Sequence, residues 1–129
     1  MQIGELAKRA DTPVDTIRYY EKIGLLPPPA RTSGNYRRYS SREIERLRFI
    51  RRCRRFDLAL SEIGQLLAFC DEPDRRCDDV NTVLDQHIGE LERRLRDLQS
   101  LSRELRQLRA VCKAPGKAAN CRILRSLRS

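Results

Sequence analysis

Leu84, Leu91, Leu98, Leu105 and Cys112 stand seven residues apart, and Ile88, Leu95, Leu101 and Leu108 fill the alternate seam positions with one change of phase near Leu98. A seven-residue apolar repeat marks a helix whose stripe packs against another helix. Aspartates at the start, from Asp79, favour the positive end of the helix. The stretch 79–112 therefore reads as one helix, which at about 1.5 Å per residue is roughly 50 Å long. The remaining chain is too small to cover such a stripe, and a second copy is the simplest partner. Leu84, Ile88, Leu91, Leu95, Leu98 and Leu105 are the expected dimerisation residues.

Three of the five cysteines take their meaning from this helix. Cys77 precedes its start, Cys112 ends it, and Cys121 follows a loop broken by Pro115-Gly116. Cys77 and Cys112 cannot share a ligand along one straight helix. They can when two copies pack antiparallel, so that the start of one helix meets the end of the other. Thiolates select soft or borderline ions over Mg²⁺ and Ca²⁺. Three around a divalent ion leave one net negative charge, which suits Pb(II) or Hg(II), or Cd(II) and Zn(II) with an added ligand. A copper(I) site would manage with two thiolates and leave Cys77 without a task. The single histidine, His87, lies within the heptad segment and is read as a seam or flank residue. Cys53 is read as a buried small apolar residue, and Cys70 as a packing or incidental thiol.

The heptad helix follows a basic segment. Residues 1–69 carry 14 Lys/Arg against 8 Asp/Glu, so a polyanion is the expected partner, and nucleic acid above all. Ile3, Leu6 and Ala7 recur at helical spacing up to the polar break Asp11-Thr12. Thr12 is the expected N-cap of a second helix, with Pro13 in its first position and Ile17, Tyr20 and Ile23 on its apolar side. Gly24 stops it. Two short helices joined by a tight turn form a helix-turn-helix, and Val14, Thr16, Arg18 and Tyr19 lie where a recognition helix meets DNA. Residues 31–39 then hold three arginines and two tyrosines around the turn Ser33-Gly34-Asn35. This pattern predicts a wing in which Arg31, Asn35, Tyr36, Arg37 and Arg38 reach DNA. Ser40 with Glu43 forms a capping box for a third, arginine-rich helix, and a fourth follows around residues 61–69.

No apolar run approaches the length of a membrane span, and no signal-peptide pattern opens the chain. A cytoplasmic protein with reduced thiols is expected, so the cysteines point to metal or packing rather than disulfides. No acid/base pair, nucleophile arrangement or phosphate-cradling glycine loop suggests an enzyme.

Ile3-Gly4-Glu5-Leu6-Ala7, Thr16-Ile17-Arg18-Tyr19-Tyr20-Glu21, Gly24-Leu25-Leu26-Pro27 and Asn35-Tyr36-Arg37-Arg38-Tyr39 resemble the DNA-binding head of the MerR family of metal-responsive transcriptional regulators. Cys77-Asp78-Asp79-Val80-Asn81, Asp85-Gln86-His87-Ile88 and Cys121-Arg122-Ile123-Leu124 look most like its lead- and cadmium-responsive branch. The resemblance implies a mainly α chain: a winged helix-turn-helix DNA-binding head over 1–70, a linker over 71–78, a long antiparallel coiled-coil dimerisation helix over 79–112, and a metal-binding loop with a short terminal helix over 113–129. It implies a homodimer on double-stranded promoter DNA, acting on RNA polymerase. Such a dimer represses without metal and activates by distorting DNA when Pb(II) or Cd(II) binds Cys77, Cys112 and Cys121. A Zn(II)- or Hg(II)-responsive regulator, or a drug- or redox-sensing one of the same architecture, is the alternative.

Overall fold

The computed structural model describes residues 1–28 and 38–129. All regular structure among them is helical: α1 (Ile3–Arg9), α2 (Val14–Lys22), α3 (Ser41–Arg55), α4 (Leu60–Asp71), α5 (Asp78–Ala110), a 3-10 turn (Ala118–Asn120) and α6 (Arg122–Arg128). The chain divides into two compact units, Met1–Val83 and Leu84–Ser129. No described helix is long and apolar enough to cross a membrane.

The first unit is built around Leu6, Ile17, Leu26, Leu47, Ile50 and Ile63, all fully buried. These residues come from α1, α2, the turn after α2, α3 and α4, so no single element holds the core alone. Burying each stabilises the unit by about 1.5–3 kcal/mol. Ile44, Leu47 and Ile50 face inward as the helical spacing predicts, and so do Ile63, Leu66 and Leu67 of α4.

Three of these helices end in the same way. After α2 the N–H of Leu25 donates to the carbonyl of Tyr20 at 2.9 Å, and that of Gly24 to Glu21 at 3.2 Å. This is a Schellman closure with glycine in the left-handed conformation, φ 86°. After α1 the N–H of Thr12 reaches Ala7 and that of Asp11 reaches Lys8; after α3 the N–H of Leu58 reaches Cys53 and that of Asp57 reaches Arg54. Asp11 (φ 50°) and Asp57 (φ 59°) fill the left-handed position there. Aspartate tolerates that conformation better than most side chains.

Two expectations at helix ends are corrected. Thr12 does not cap α2: its hydroxyl donates to the carbonyl of Ala10 at 3.0 Å, and Pro13 occupies the N-cap position with no side-chain bond. The long helix ends at Ala110 instead of running to Cys112. The N–H groups of Val111 and Cys112 turn to the carbonyls of Leu108 and Arg109, three residues back. Pro115 follows closely, and proline cannot continue a helix.

The capping box holds. The N–H of Arg42 donates to Ser40 Oγ at 3.3 Å, and the N–H of Ser40 donates to Glu43 Oε2 at 2.7 Å. The wing lies outside the described residues, except Arg38, which is exposed, and Tyr39, which is buried.

Candidate metal centre and nucleic-acid face

In the second unit the chain leaves α5, turns at Pro115-Gly116 and returns through the 3-10 turn into α6. The loop encloses a concavity of about 570 Å³, and both Cys112 and Cys121 line it. Both thiols are half-buried and free. Cys112 Sγ lies 3.8 Å from the carbonyl oxygen of Ala114, and Cys121 holds the N-cap position of α6. Lys117, Asn120, Arg122 and Leu124 share the lining. Two sulfur donors in a pocket without histidine fit a soft ion. Were an ion held there by thiolates, the cationic Lys117 and Arg122 in the lining would offset the negative charge those thiolates bring. These two residues were not among the sequence candidates, because nothing in their spacing distinguishes them from other basic residues.

Cys77 belongs to the first unit and is exposed. It stands just before α5, and its carbonyl accepts from the N–H groups of Val80 and Asn81 at 3.0 and 3.3 Å. It does not line the concavity that holds the other two thiols. Cys53 is buried in α3. Burial pushes its thiol above the ordinary value, and Cys70 adds to the shift. A thiol held protonated is a poor metal ligand, in keeping with a packing role. Cys70 is exposed. His87 is only 4% exposed, so it is a buried residue of α5.

The apolar stripe of α5 is left wet. Leu84, Ile88, Leu91, Leu95, Leu98, Leu101 and Leu105 are between 38% and 64% exposed. In a helix of 33 residues this is a long apolar band left exposed among the described residues.

In the first unit, α2 presents Arg18 and Tyr19 to solvent, while Val14 and Thr16 are half-buried. Concavities lie along two of its flanks. One, of about 650 Å³, is lined by Arg18, Lys22 and Tyr39, whose hydroxyl bonds to the Glu21 carboxylate. The other is lined by Thr16, Tyr20 and three arginines of α3. Arg46, by contrast, is a structural arginine. Its Nε donates to the carbonyl of Leu25 at 2.7 Å, and its two terminal nitrogens reach Asp71 at 2.8 and 3.3 Å.

This order of elements, an exposed second helix of a helix-turn-helix followed by one long helix, has counterparts. Residues 1–70 match the MerR HTH family of regulatory proteins, and residues 44–108 match the MerR DNA-binding family. The chain belongs to the MerR family. It is a DNA-binding transcriptional regulator and not an enzyme.

A MerR-family relative, the ZntR-homologue regulator of Haemophilus influenzae, is 47% identical over 84% of this chain and 81% of its own length. The crystal structure of the transcription regulator PbrR691 from Ralstonia metallidurans in complex with lead(II) is 47% identical, covers 98% of each chain and superposes with a TM-score of 0.92. That of the regulator MerR from Bacillus megaterium in complex with mercury(II) is 30% identical, covers both chains fully and gives a TM-score of 0.78.

Proposed function

We propose that this MerR-family protein is a metal-responsive homodimer that represses its promoter without metal and activates it when a soft divalent ion, Pb(II) or Cd(II), is bound. The observation that carries the reading is the seating of Cys112 and Cys121 in one concavity just beyond a long helix whose apolar stripe is uncovered. Cys77, at the other end of that helix, completes the ligand set from the partner subunit when the two helices run antiparallel. The likeness to a regulator solved with lead(II) supports Pb(II). The likeness to one solved with mercury(II) keeps Hg(II) as the second reading, alongside Zn(II).

In this reading residues 1–70 are the DNA-binding head, 71–78 the linker, 79–112 the dimerisation segment, and 113–129 the sensing loop. Leu84, Ile88, Leu91, Leu95, Leu98 and Leu105 form the seam. Val14, Thr16, Arg18 and Tyr19, with Arg31, Asn35, Tyr36, Arg37 and Arg38 of the wing, meet the operator. The protein works in the cytoplasm on promoter DNA that RNA polymerase also engages.

The bound ion supplies metal–sulfur bonds. Only a dimer conformation that presents all three thiolates together gains from them, so the population moves towards it. The head carries the change into the DNA, where distortion at untouched base pairs is the output.

Titration of the purified dimer with Pb(II), Cd(II), Zn(II) and Hg(II) tests this. An ultraviolet thiolate-to-metal charge-transfer band is expected, and it shrinks in Cys112→Ser, which also abolishes induction while keeping repression. A wild-type protein without the band, or a Cys112→Ser variant that induces normally, removes the reading.

A further inference from the structure

We propose that Arg75 is a positioning residue for Cys77, clamping the linker between α4 and α5 so that this thiol stands in place for the ion. The proposal rests on the reading of Cys77 as a metal ligand. It names a residue outside the three thiols and outside the loop that carries two of them.

The guanidinium of Arg75 gathers one group from each part of the linker. Its central carbon lies 4.0 Å from the centre of the Phe69 ring, near the end of α4. One terminal nitrogen reaches Glu72 Oε2 at 3.0 Å, on the residue that caps α4. The other lies 3.8 Å from Asp79 Oδ2, in the first turn of α5. The backbone follows the same path. The N–H of Glu72 donates to the carbonyl of Phe69 at 3.2 Å, and that of Arg75 to the carbonyl of Glu72 at 3.0 Å. One side chain thus joins the end of one helix to the start of the next.

Cys77 sits midway between Arg75 and Asp79, inside the turn that their ion pair closes. On its far side the N–H groups of Val80 and Asn81 donate to its carbonyl, which ties its backbone to α5. The Arg75 contacts fix its near side towards α4. The thiol itself is exposed, so the backbone on either side does more than packing to set its position.

The Arg75 side chain is 42% exposed, and each of its ion pairs alone is weak at such exposure. Stacking on an aromatic face adds to them, and a flat guanidinium can stack and fork at the same time. A site assembled from separated pieces of chain gains from this. Its apparent affinity falls in proportion to the fraction of molecules in which every ligand is in place. Arg76 is the contrast. It pairs with Asp78 at 2.9 Å, a link that spans only the immediate neighbours of Cys77 and joins no two helices.

The test uses the full-length protein and two readouts. Amide hydrogen exchange of the metal-free protein follows Val80 and Asn81, whose N–H groups bond to the Cys77 carbonyl. Pb(II) affinity is measured in competition with a chelator. Arg75→Ala is expected to speed exchange at those two amides about fivefold and to weaken Pb(II) binding about fivefold, with the saturated charge-transfer band unmoved. Arg75→Lys, which can stack and pair but not fork, is expected to recover part of both. Arg76→Ala, the same charge change one residue on, is expected to alter neither. In a Cys77→Ser background, Hg(II), which two thiolates can hold, is expected to bind equally with and without Arg75→Ala. Circular dichroism and thermal midpoints matching the wild type exclude misfolding as the cause. An Arg75→Ala variant equal to the wild type in either readout overturns the clamp. So does an equal loss in Arg76→Ala, or a loss of Hg(II) affinity on Arg75→Ala that persists without Cys77. Pb(II) held as tightly by Cys77→Ser as by the wild type is a different result, and removes Cys77 from the ligand set beneath the proposal.

Discussion

Ser40 and Glu43 show how much one pair of side chains decides at the start of α3. Burial raises the Glu43 carboxyl, but the bonds from the Ser40 hydroxyl and backbone outweigh it, helped by its own N–H and by Arg42, and the net shift is downward. A carboxyl lowered in the folded state stabilises the fold above its unfolded value, and that contribution is lost as pH falls through the folded one. The cap is therefore intact at neutral pH and fails only in acid, below the ordinary glutamate range. Ser40→Ala is expected to cost about 1 kcal/mol at neutral pH in urea unfolding of the full chain. The stability gap between wild type and Glu43→Gln should be constant near neutrality and close in acid; a gap that widens on acidification would contradict the sign.

At the scale of elements, α3 carries two kinds of arginine. Arg46 ties α3 to the end of α2 through Leu25 and to the end of α4 through Asp71, and its side chain is only 18% exposed. Arg46→Ala is expected to cost about 2–3 kcal/mol, since it leaves a buried carbonyl and a carboxylate without their donor. Arg46→Lys should recover little, because one ammonium cannot replace a fork with three bonds. Equal unfolding midpoints for Arg46→Ala and an exposed variant such as Arg48→Ala would show that the tie does not matter. The long helix α5 makes the opposite case, with its apolar side turned to water. Placing a charge in the stripe with Leu98→Lys is expected to weaken dimerisation by at least about tenfold. Analytical ultracentrifugation reads this directly, and an unchanged association constant would remove Leu98 from the seam.

For the whole molecule the decisive question is which chain supplies which thiol. Cys112 and Cys121 share a loop, while Cys77 stands before a helix of 33 residues, about 50 Å long at the usual rise. Mixed dimers separate the possibilities. One subunit carries Cys77→Ser, and its partner carries both Cys112→Ser and Cys121→Ser. Antiparallel sharing leaves one complete three-sulfur site in such a dimer, so half the wild-type charge-transfer intensity is expected. No band at all in the mixed dimer, with a normal band in the wild type, would place the three ligands within one subunit.

Much of this was legible in the chain itself. The heptad stripe, the capping box of Ser40, the stop at Gly24 and the loop between Cys112 and Cys121 are local patterns, and local patterns follow from residue type and spacing. The heptad column runs on to Cys112, but α5 ends two residues earlier, at Ala110, because the backbone has already tightened before Pro115. Thr12 reads as a cap in sequence, yet its hydroxyl found a nearer carbonyl at Ala10. The left-handed role of Asp57 carries no glycine to announce it.

The arginines mark the boundary most clearly. Composition determined that α3 would be basic, and periodicity determined which side it would bury. Only the packed structure sorted Arg46, held by Leu25 and Asp71, from Arg55, left open beside α2. The physical reason is that a side chain's period belongs to its own helix, whereas its partner comes from an element twenty or more residues away.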